Sequence, residues 1–285
     1  MRQFLRSSVL ICVSGLTALL TSSVALAEDD EPQTPGSRLN AGLAYDFSKG
    51  DYGGTTTIKS WTTTANIEYE HGDFLLALSL PHVRQYGPLD TIVIRGRPVL
   101  VRGVPVRRQG RIVIGPASTA TVYGTATGIG DVRASASYFS GGETEGSPLF
   151  DARLNVKFGT GDKDKGLGTG KNDYGVQGTV SQAFGSWNVS GSVGYTVVGK
   201  IAEASLRNYF NGSTDLSNKI DDESKIGLRY GYTQASSSGN PSAQDLTLYY
   251  SYSPTKQTQL QIYFLDGLTT GSADRGAGLS LTMSF

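Results

Sequence analysis

The stretch Ala277-Gly278-Leu279-Ser280-Leu281-Thr282-Met283-Ser284-Phe285 alternates without a break. Ala277, Leu279, Leu281, Met283 and Phe285 fall on one side of an extended chain, and Gly278, Ser280, Thr282 and Ser284 on the other, because successive strand side chains point to opposite faces. A strand written this way meets an apolar medium on one face and a polar one on the other.

The same arithmetic recurs upstream. Leu39, Ala41, Leu43, Tyr45 and Phe47 oppose Arg38, Asn40 and Asp46; Lys59, Trp61, Thr63, Ala65, Ile67 and Tyr69 share a face that leaves Glu68 on the other. Val132, Ala134, Ala136 and Tyr138 oppose Asp131, Arg133, Ser135 and Ser137, while Phe150, Ala152, Leu154, Val156 and Phe158 oppose Asp151, Arg153, Asn155 and Lys157. Further alternating segments cover residues 174–184, 187–198, 224–233, 245–253 and 258–265, with outward sets such as Val189, Val193 and Tyr195, or Leu260, Ile262 and Phe264. Residues 74–82, FLLALSLPH, read as a third strand that is apolar on both faces. Segments of about 10 residues separated by turn residues are the pattern of a transmembrane barrel.

These segments number eleven, and a barrel whose two ends lie on one side needs an even count. The spacing predicts the missing strand between Lys200 and Phe210, KIAEASLRNYF. The expected fold is therefore all-β, an antiparallel up-and-down barrel of about 12 strands, with 10 or 14 as alternatives. If the last strand ends in the periplasm, the turns at 71–73, 141–148, 185–186 and 254–257 lie there too. The longer connections 84–128, 159–173 and 235–244 then lie outside, in keeping with the usual asymmetry of such barrels.

Residues 1–27 read as a cleaved secretory leader: Arg2 and Arg6 precede an apolar stretch from Val9 to Leu20, and Ala25-Leu26-Ala27 offers a small-x-small cleavage site. Residues 28–37, EDDEPQTPGS, have little to bury and read as a flexible periplasmic lead-in, which leaves 38–285 for the barrel. Removing Arg2 and Arg6 from the 25 lysines and arginines, with none of the 25 acids lost, leaves a formal charge of −2. Bulk charge thus suggests no nucleic-acid partner. The one cysteine, Cys12, lies in the leader, so a disulfide framework and a thiolate metal site are excluded from the mature chain. Beyond the leader no apolar run reaches the roughly 18 residues of a helical span, and a membrane location therefore requires a barrel. Glycine, at 37 of 285 residues, and 15 tyrosines against 2 methionines favour strands and turns.

A terminal Phe285 preceded by apolar residues at every second position resembles the signal by which bacterial barrels are recognised by the assembly machinery of the outer membrane. The segments TGIGDVRASASYF, residues 127–139, and VKFGTGDKDKGLGTGKNDYGVQGTVSQAFGSWNVSGSVGYTVVG, residues 156–199, resemble the outer-membrane family named for the MetA pathway of phenol degradation, whose members are often described as transporters. The resemblance covers about a quarter of the chain. It implies an outer-membrane barrel suspected of passing small aromatic or other organic solutes, and no agreed catalytic residues come with it; no cofactor is expected.

Two constellations carry charge. Residues 84–115 hold Arg84, Arg95, Arg97, Arg102, Arg107, Arg108 and Arg111 with Asp90 as the only acid, and TIVIRG, VLVRGVPV and RIVIG suggest an extra hairpin limited by Pro98 and Pro105. This ribbon either attracts anions, lipopolysaccharide phosphates or carboxylate solutes, or is simply solvated. On the inward faces, a turn centre near residue 144 places Asp131 across from Lys157 and Arg133 near Asn155. Arg133, Arg153 and Lys157 then form a basic constriction that steers solutes, or they join Asp131, Asp151 and Glu68 in a network that fills the lumen.

Other readings are weaker. The loop GTGDKDKGLGTGKND, residues 159–173, departs from a phosphate-binding pattern because Gly170-Lys171 is followed by Asn172 and a strand. Its lysines also oppose a calcium site, leaving a solvated polar hairpin. An outer-membrane hydrolase would have to use His71 or His82, neither of which can be given a carboxylate partner. A soluble sandwich conflicts with the outward apolar band, and an adhesive or structural barrel would differ only in what its loops bind.

Overall fold

A computed structural model describes residues 36–88, 91–94, 97–100, 106–108, 111–113, 123–142, 146–202, 205–237 and 240–285. The expected leader and most of the lead-in lie outside the described residues, and Ser37 already belongs to the first strand. In chain order the strands are β1 Ser37–Gly50, β2 Ile58–His71, β3 Phe74–Pro88, β4 Thr91–Ile94, β5 Arg97–Leu100, β6 Val106–Arg108, β7 Arg111–Val113, β8 Tyr123–Ile129 and β9 Arg133–Gly141. They continue with β10 Leu149–Lys157, β11 Asp173–Phe184, β12 Trp187–Val197, β13 Tyr209–Lys219, β14 Ser224–Thr233, β15 Ala243–Thr255, β16 Thr258–Gly267 and β17 Arg275–Ser284. No described helix is long and apolar enough to cross a membrane.

Every strand of the main sheet is antiparallel to its neighbours, and β1 pairs with both β2 and β17, so the sheet closes on itself. The sheet counts thirteen strands, but β8 and β9 follow one another along the same edge of β3, β8 against His82–Pro88 and β9 against Phe74–Ser79. They form one interrupted course, which makes the barrel twelve courses around. Closure removes the open strand edges that lipid would not tolerate.

The alternation read from the sequence fixes what each face carries. Leu43, Leu154, Val193 and Phe264 point outward and keep 55%, 62%, 63% and 63% of their surface exposed, whereas the inward Asn40, Asp46, Glu68 and Arg153 keep 3% or less. Aromatic side chains mark both margins of this band, with Tyr69, Phe74, Tyr138 and Trp187 at one end and Trp61, Tyr86, Tyr123 and Tyr232 at the other, as expected where a barrel meets two interfaces. One rim has short connections, among them Gly72-Asp73 and Gly185-Ser186, whose glycines take φ of 57° and 58° as two-residue hairpin turns require. Ser37 and Phe285 end on this short-turn rim. The other rim carries the longer connections 51–57, 89–122, 158–172, 198–208, 234–242 and 268–274.

Several expectations need correction. The missing strand is β13, Tyr209–Lys219, and not residues 200–210. Its outward face, Phe210, Gly212, Thr214 and Leu216, is half non-hydrophobic, so the period was faint. The long connection runs from 89 to 122 and not from 84 to 128, because β3 continues through Arg84 to Pro88 and β8 pairs with it. Charged Arg84 on the outer face disguised that extension. Two short hairpins, β4–β5 and β6–β7, replace the single one, and Pro98 is accommodated opposite Val93. Arg97, Arg107, Arg108 and Arg111 lie on these hairpins, while Arg95 and Arg102 lie outside the described residues.

Candidate channel lining

The inward face is largely polar and carries two charged clusters. The first is built around β9, β10 and β11. Lys157, the last residue of β10, places Nζ 2.8 Å from Asp131 Oδ2, 3.1 Å from Asp173 Oδ2 and 3.2 Å from Thr169 Oγ1. Asp173 opens β11 directly across from Lys157. Asp131 reaches it from the break between β8 and β9, where Gly130 N–H donates to the Pro81 carbonyl and Phe158 N–H to that of Val132.

The loop 158–172 folds onto this cluster. Gly161 N–H donates to Asp131 Oδ1 at 2.9 Å, and a Cβ on Gly168 would lie 2.4 Å from the same oxygen, so only glycine allows the backbone so close. Thr160 accepts from Val132 N–H and donates to the Gly130 carbonyl, and Leu167 is buried. The expected solvated hairpin is exposed at its tip, the 3-10 turn Lys163–Lys165, and again at Gly170–Asn172, while Gly161 and Gly166–Thr169 are buried against the wall. Glycine supplied the reason. What reads as loop flexibility in GTGDKDKGLGTG is close backbone approach to a carboxylate.

Lower on the same wall, Arg153 donates through Nε to Ser137 Oγ at 2.6 Å and through Nη2 to Asp151 Oδ2 at 3.1 Å. Its charge also interacts with Glu68 on β2. Arg133 stands opposite Lys157, and Asn155 opposite Ser135, so the expected Arg133–Asn155 proximity is out by one inward position. The hairpin turns two residues farther along in paired sum than the sequence suggests. Asp131 nevertheless meets Lys157, because the chain leaves the ladder after Arg133 and curls back.

The second cluster lies on β13, β14 and β15. Arg229 donates through Nη2 to Asp215 Oδ2 at 3.1 Å, and Tyr249 Oη donates to Asp215 Oδ1 at 3.0 Å. The guanidinium of Arg229 lies 5.7 Å from the centroid of the Tyr249 ring. A similar bond crosses the barrel closure, where Tyr263 Oη donates to Asp46 Oδ1 at 2.6 Å. Both rings lie over glycines directly opposite them in register, Tyr249 over Gly227 and Tyr263 over Gly278. A Cβ at those glycines would lie 2.2 and 2.4 Å from the rings. The missing β13 hid Asp215, but an inward tyrosine opposite a glycine was readable once the register was known.

Three of the inward cations are matched: Arg153, Lys157 and Arg229 each sit within 3.1 Å of a carboxylate, while Arg133 stands opposite Lys157 and Lys225 lies 5.9 Å from the centroid of the Tyr249 ring. Between the clusters run amides and hydroxyls with remaining hydrogen-bonding capacity, including Asn40 Nδ2, Thr64 Oγ1, Asn66 Oδ1 and both polar atoms of the Gln261 amide. At the short-turn end the lining turns apolar, as Leu75, Phe139 and Leu149 pack together with Ala183. This is where the apolar inner face of FLLALSLPH finds its partners.

The histidines stay apart. Nδ1 of His71 lies 2.9 Å from Ser37 Oγ on the short-turn rim, and His82 points outward from β3. Phe285, just past β17 on the short-turn rim, is 70% exposed, with its N–H donating to the Leu39 carbonyl.

Comparison with known proteins agrees with this geometry. No curated protein matches the sequence. Among solved structures, an outer-membrane channel from Pseudomonas putida F1 shares the fold with a TM-score of 0.63 at 12% identity, over 91% of this chain and 100% of that one. The translocator domain of the autotransporter NalP from Neisseria meningitidis reaches 0.49 at 12% identity, over 90% of each chain. The KdgM porin reaches 0.48 at 8% identity, over 86% of this chain and 99% of that one. Residues 46–285 match the family described as "Putative MetA-pathway of phenol degradation", and the chain belongs to that family.

Proposed function

We propose that the protein is an outer-membrane channel for small organic solutes, aromatic or anionic ones included. The observation that carries this reading is the closed barrel whose inner face is polar, ion-paired and rich in unspent hydrogen-bonding groups, under an outer face fit only for lipid. A solute would pass between the Lys157 cluster near one rim and the Leu75–Phe139–Leu149 cluster near the other. Glu68, Asp131, Arg133, Asp151, Arg153 and Lys157 line and steer within that path, and the arginine-bearing hairpins shape the approach to it. Family membership supports the same class of cargo.

Orientation follows from loop lengths: the short-turn rim faces the periplasm and the long-loop rim the exterior. Residues 1–27 are removed on export, and Phe285 presents the assembly signal to the barrel assembly machinery.

Planar-bilayer recording of the purified protein tests the proposal. Discrete conductance steps, with permeation of benzoate or phenol in liposome swelling, are expected. A silent bilayer and solute-tight liposomes would overturn it and leave a structural or adhesive barrel, which unchanged uptake and lost surface attachment in a deletion strain would identify.

A further inference from the structure

The outer wall carries a row of cations that the channel reading does not use. Register sets Lys59 on β2, Lys49 on β1 and Arg275 on β17 directly opposite one another, all on the outward face next to the long-loop rim. One outward position below, Arg84 on β3 stands opposite Trp61 and lies 5.8 Å from its ring centroid. A single carboxylate, Asp266, ends the row, with Oδ1 3.9 Å from Arg275 Nε and both side chains more than two-thirds exposed. Like charges directly opposite on adjacent strands repel one another, and a bridging anion relieves that repulsion through charge-assisted hydrogen bonds.

Immediately below the row the wall is hollowed. A groove of about 510 Å³ has Ala277 and Gly276 as its floor and Phe47, Phe264, Leu246 and Leu248 as its sides. The reason is local: Ala277 sits in register between Phe47 and Phe264, a methyl group between two rings. An apolar slot opening beneath a line of cations suits a ligand whose acyl chain and phosphate are joined.

We propose that this face binds the phosphorylated, acylated glycolipid of the outer leaflet, the lipid A part of lipopolysaccharide. Three considerations select it. The row lies on the rim with the long connections, which faces the outer leaflet. Strands are about 4.8 Å apart, so Lys59 and Arg275 are separated by roughly 10 Å, more than one phosphate spans and a distance that two phosphates on a disaccharide bridge. The groove then receives one acyl chain, while Trp61 and Phe47, 5.5 Å apart, support the headgroup margin. The inference depends on the outer-membrane placement and not on solute passage.

Native mass spectrometry of the full chain in detergent, titrated with bisphosphorylated lipid A, its dephosphorylated form and phosphatidylglycerol, tests it. The intact protein should prefer the bisphosphorylated lipid by about tenfold over the other two, a gap of about 1.4 kcal/mol. Lys49→Gln with Lys59→Gln and Arg275→Gln should abolish that preference while heat-dependent gel mobility and bilayer conductance stay as in the parent. Ala277→Phe, which fills the groove, should weaken all acylated ligands. Equal binding of the phosphorylated and dephosphorylated forms by the parent, a preference that survives the triple substitution, or phosphatidylglycerol matching lipid A would each overturn the proposal.

Discussion

Lys157 Nζ lies 2.8 Å from Asp131 Oδ2, and this contact joins two glycine-rich segments, TGIGDVR and VKFGTGDKDKGLGTGKND. Both side chains are nearly excluded from solvent, with 1% and 6% of their surface exposed. The motif is therefore a folded clasp: a lysine at the end of β10, two carboxylates from neighbouring courses, and glycines that let the loop backbone close over them.

Removing only the cation should be costly. Lys157→Met leaves Asp131 and Asp173 buried without their shared partner, and breaking a buried pair in this way costs about 3–5 kcal/mol. The barrel should melt at lower temperature or denaturant in gel-mobility assays. Adding Asp131→Asn and Asp173→Asn should recover most of the loss, whereas additive losses would argue against the clasp.

The tyrosine–glycine pairs offer an independent check on the inner packing. Gly227→Val would press a side chain into the Tyr249 ring and should destabilise by about 1–3 kcal/mol. Combining it with Tyr249→Ala should be far less than additive, as expected for residues in contact. Additive effects would mean that the ring does not lie over Gly227.

The tip of the loop should respond to acid. The hydrogen bond from Lys165 holds the Asp162 carboxyl below its ordinary value of 3.8, supported by the backbone N–H of Lys165 and by its charge. A depressed carboxyl contributes order that is present above the ordinary value and is lost as pH falls through the folded-state value. Protection of the Lys165 amide against hydrogen exchange, taken relative to its intrinsic rate at each pH, should therefore hold at neutral and mildly acidic pH and fall at low pH. Asp162→Asn should remove that pH dependence.

Ion selectivity should draw on the arginine-rich segment 84–115, because three of the inward cations, Arg153, Lys157 and Arg229, are matched by carboxylates. Arg95→Gln with Arg97→Gln and Arg102→Gln should lower any anion preference in planar bilayers. Unchanged selectivity would assign those arginines to the solvated surface.

Strand alternation made the barrel legible, since lipid demands an apolar side chain at every second position and a one-residue slip would turn each strand inside out. Residues such as Leu43, Leu154 and Phe264 carry that demand plainly. The reading failed where the demand relaxes. On β13, Gly212 and Thr214 satisfy the outer face without looking apolar, and on β3, Arg84 stacks its guanidinium on Trp61 at the membrane margin. Inward residues Glu68, Asp151 and Arg153 were legible as a set, but their partners depend on inter-strand register, which a turn of uncertain centre left open. Asp131 was legible as inward, and its clasp was not, because a strand break and a glycine-lined loop are tertiary arrangements that no period announces.

Single-channel recording of the parent protein beside Lys157→Met is the most direct measurement of the whole arrangement. A polar lumen narrowed by the Asp131–Lys157–Asp173 clasp predicts small, steady steps for the parent and larger or noisier ones for the variant. A parent that never conducts, or a variant whose steps equal the parent's, would contradict it.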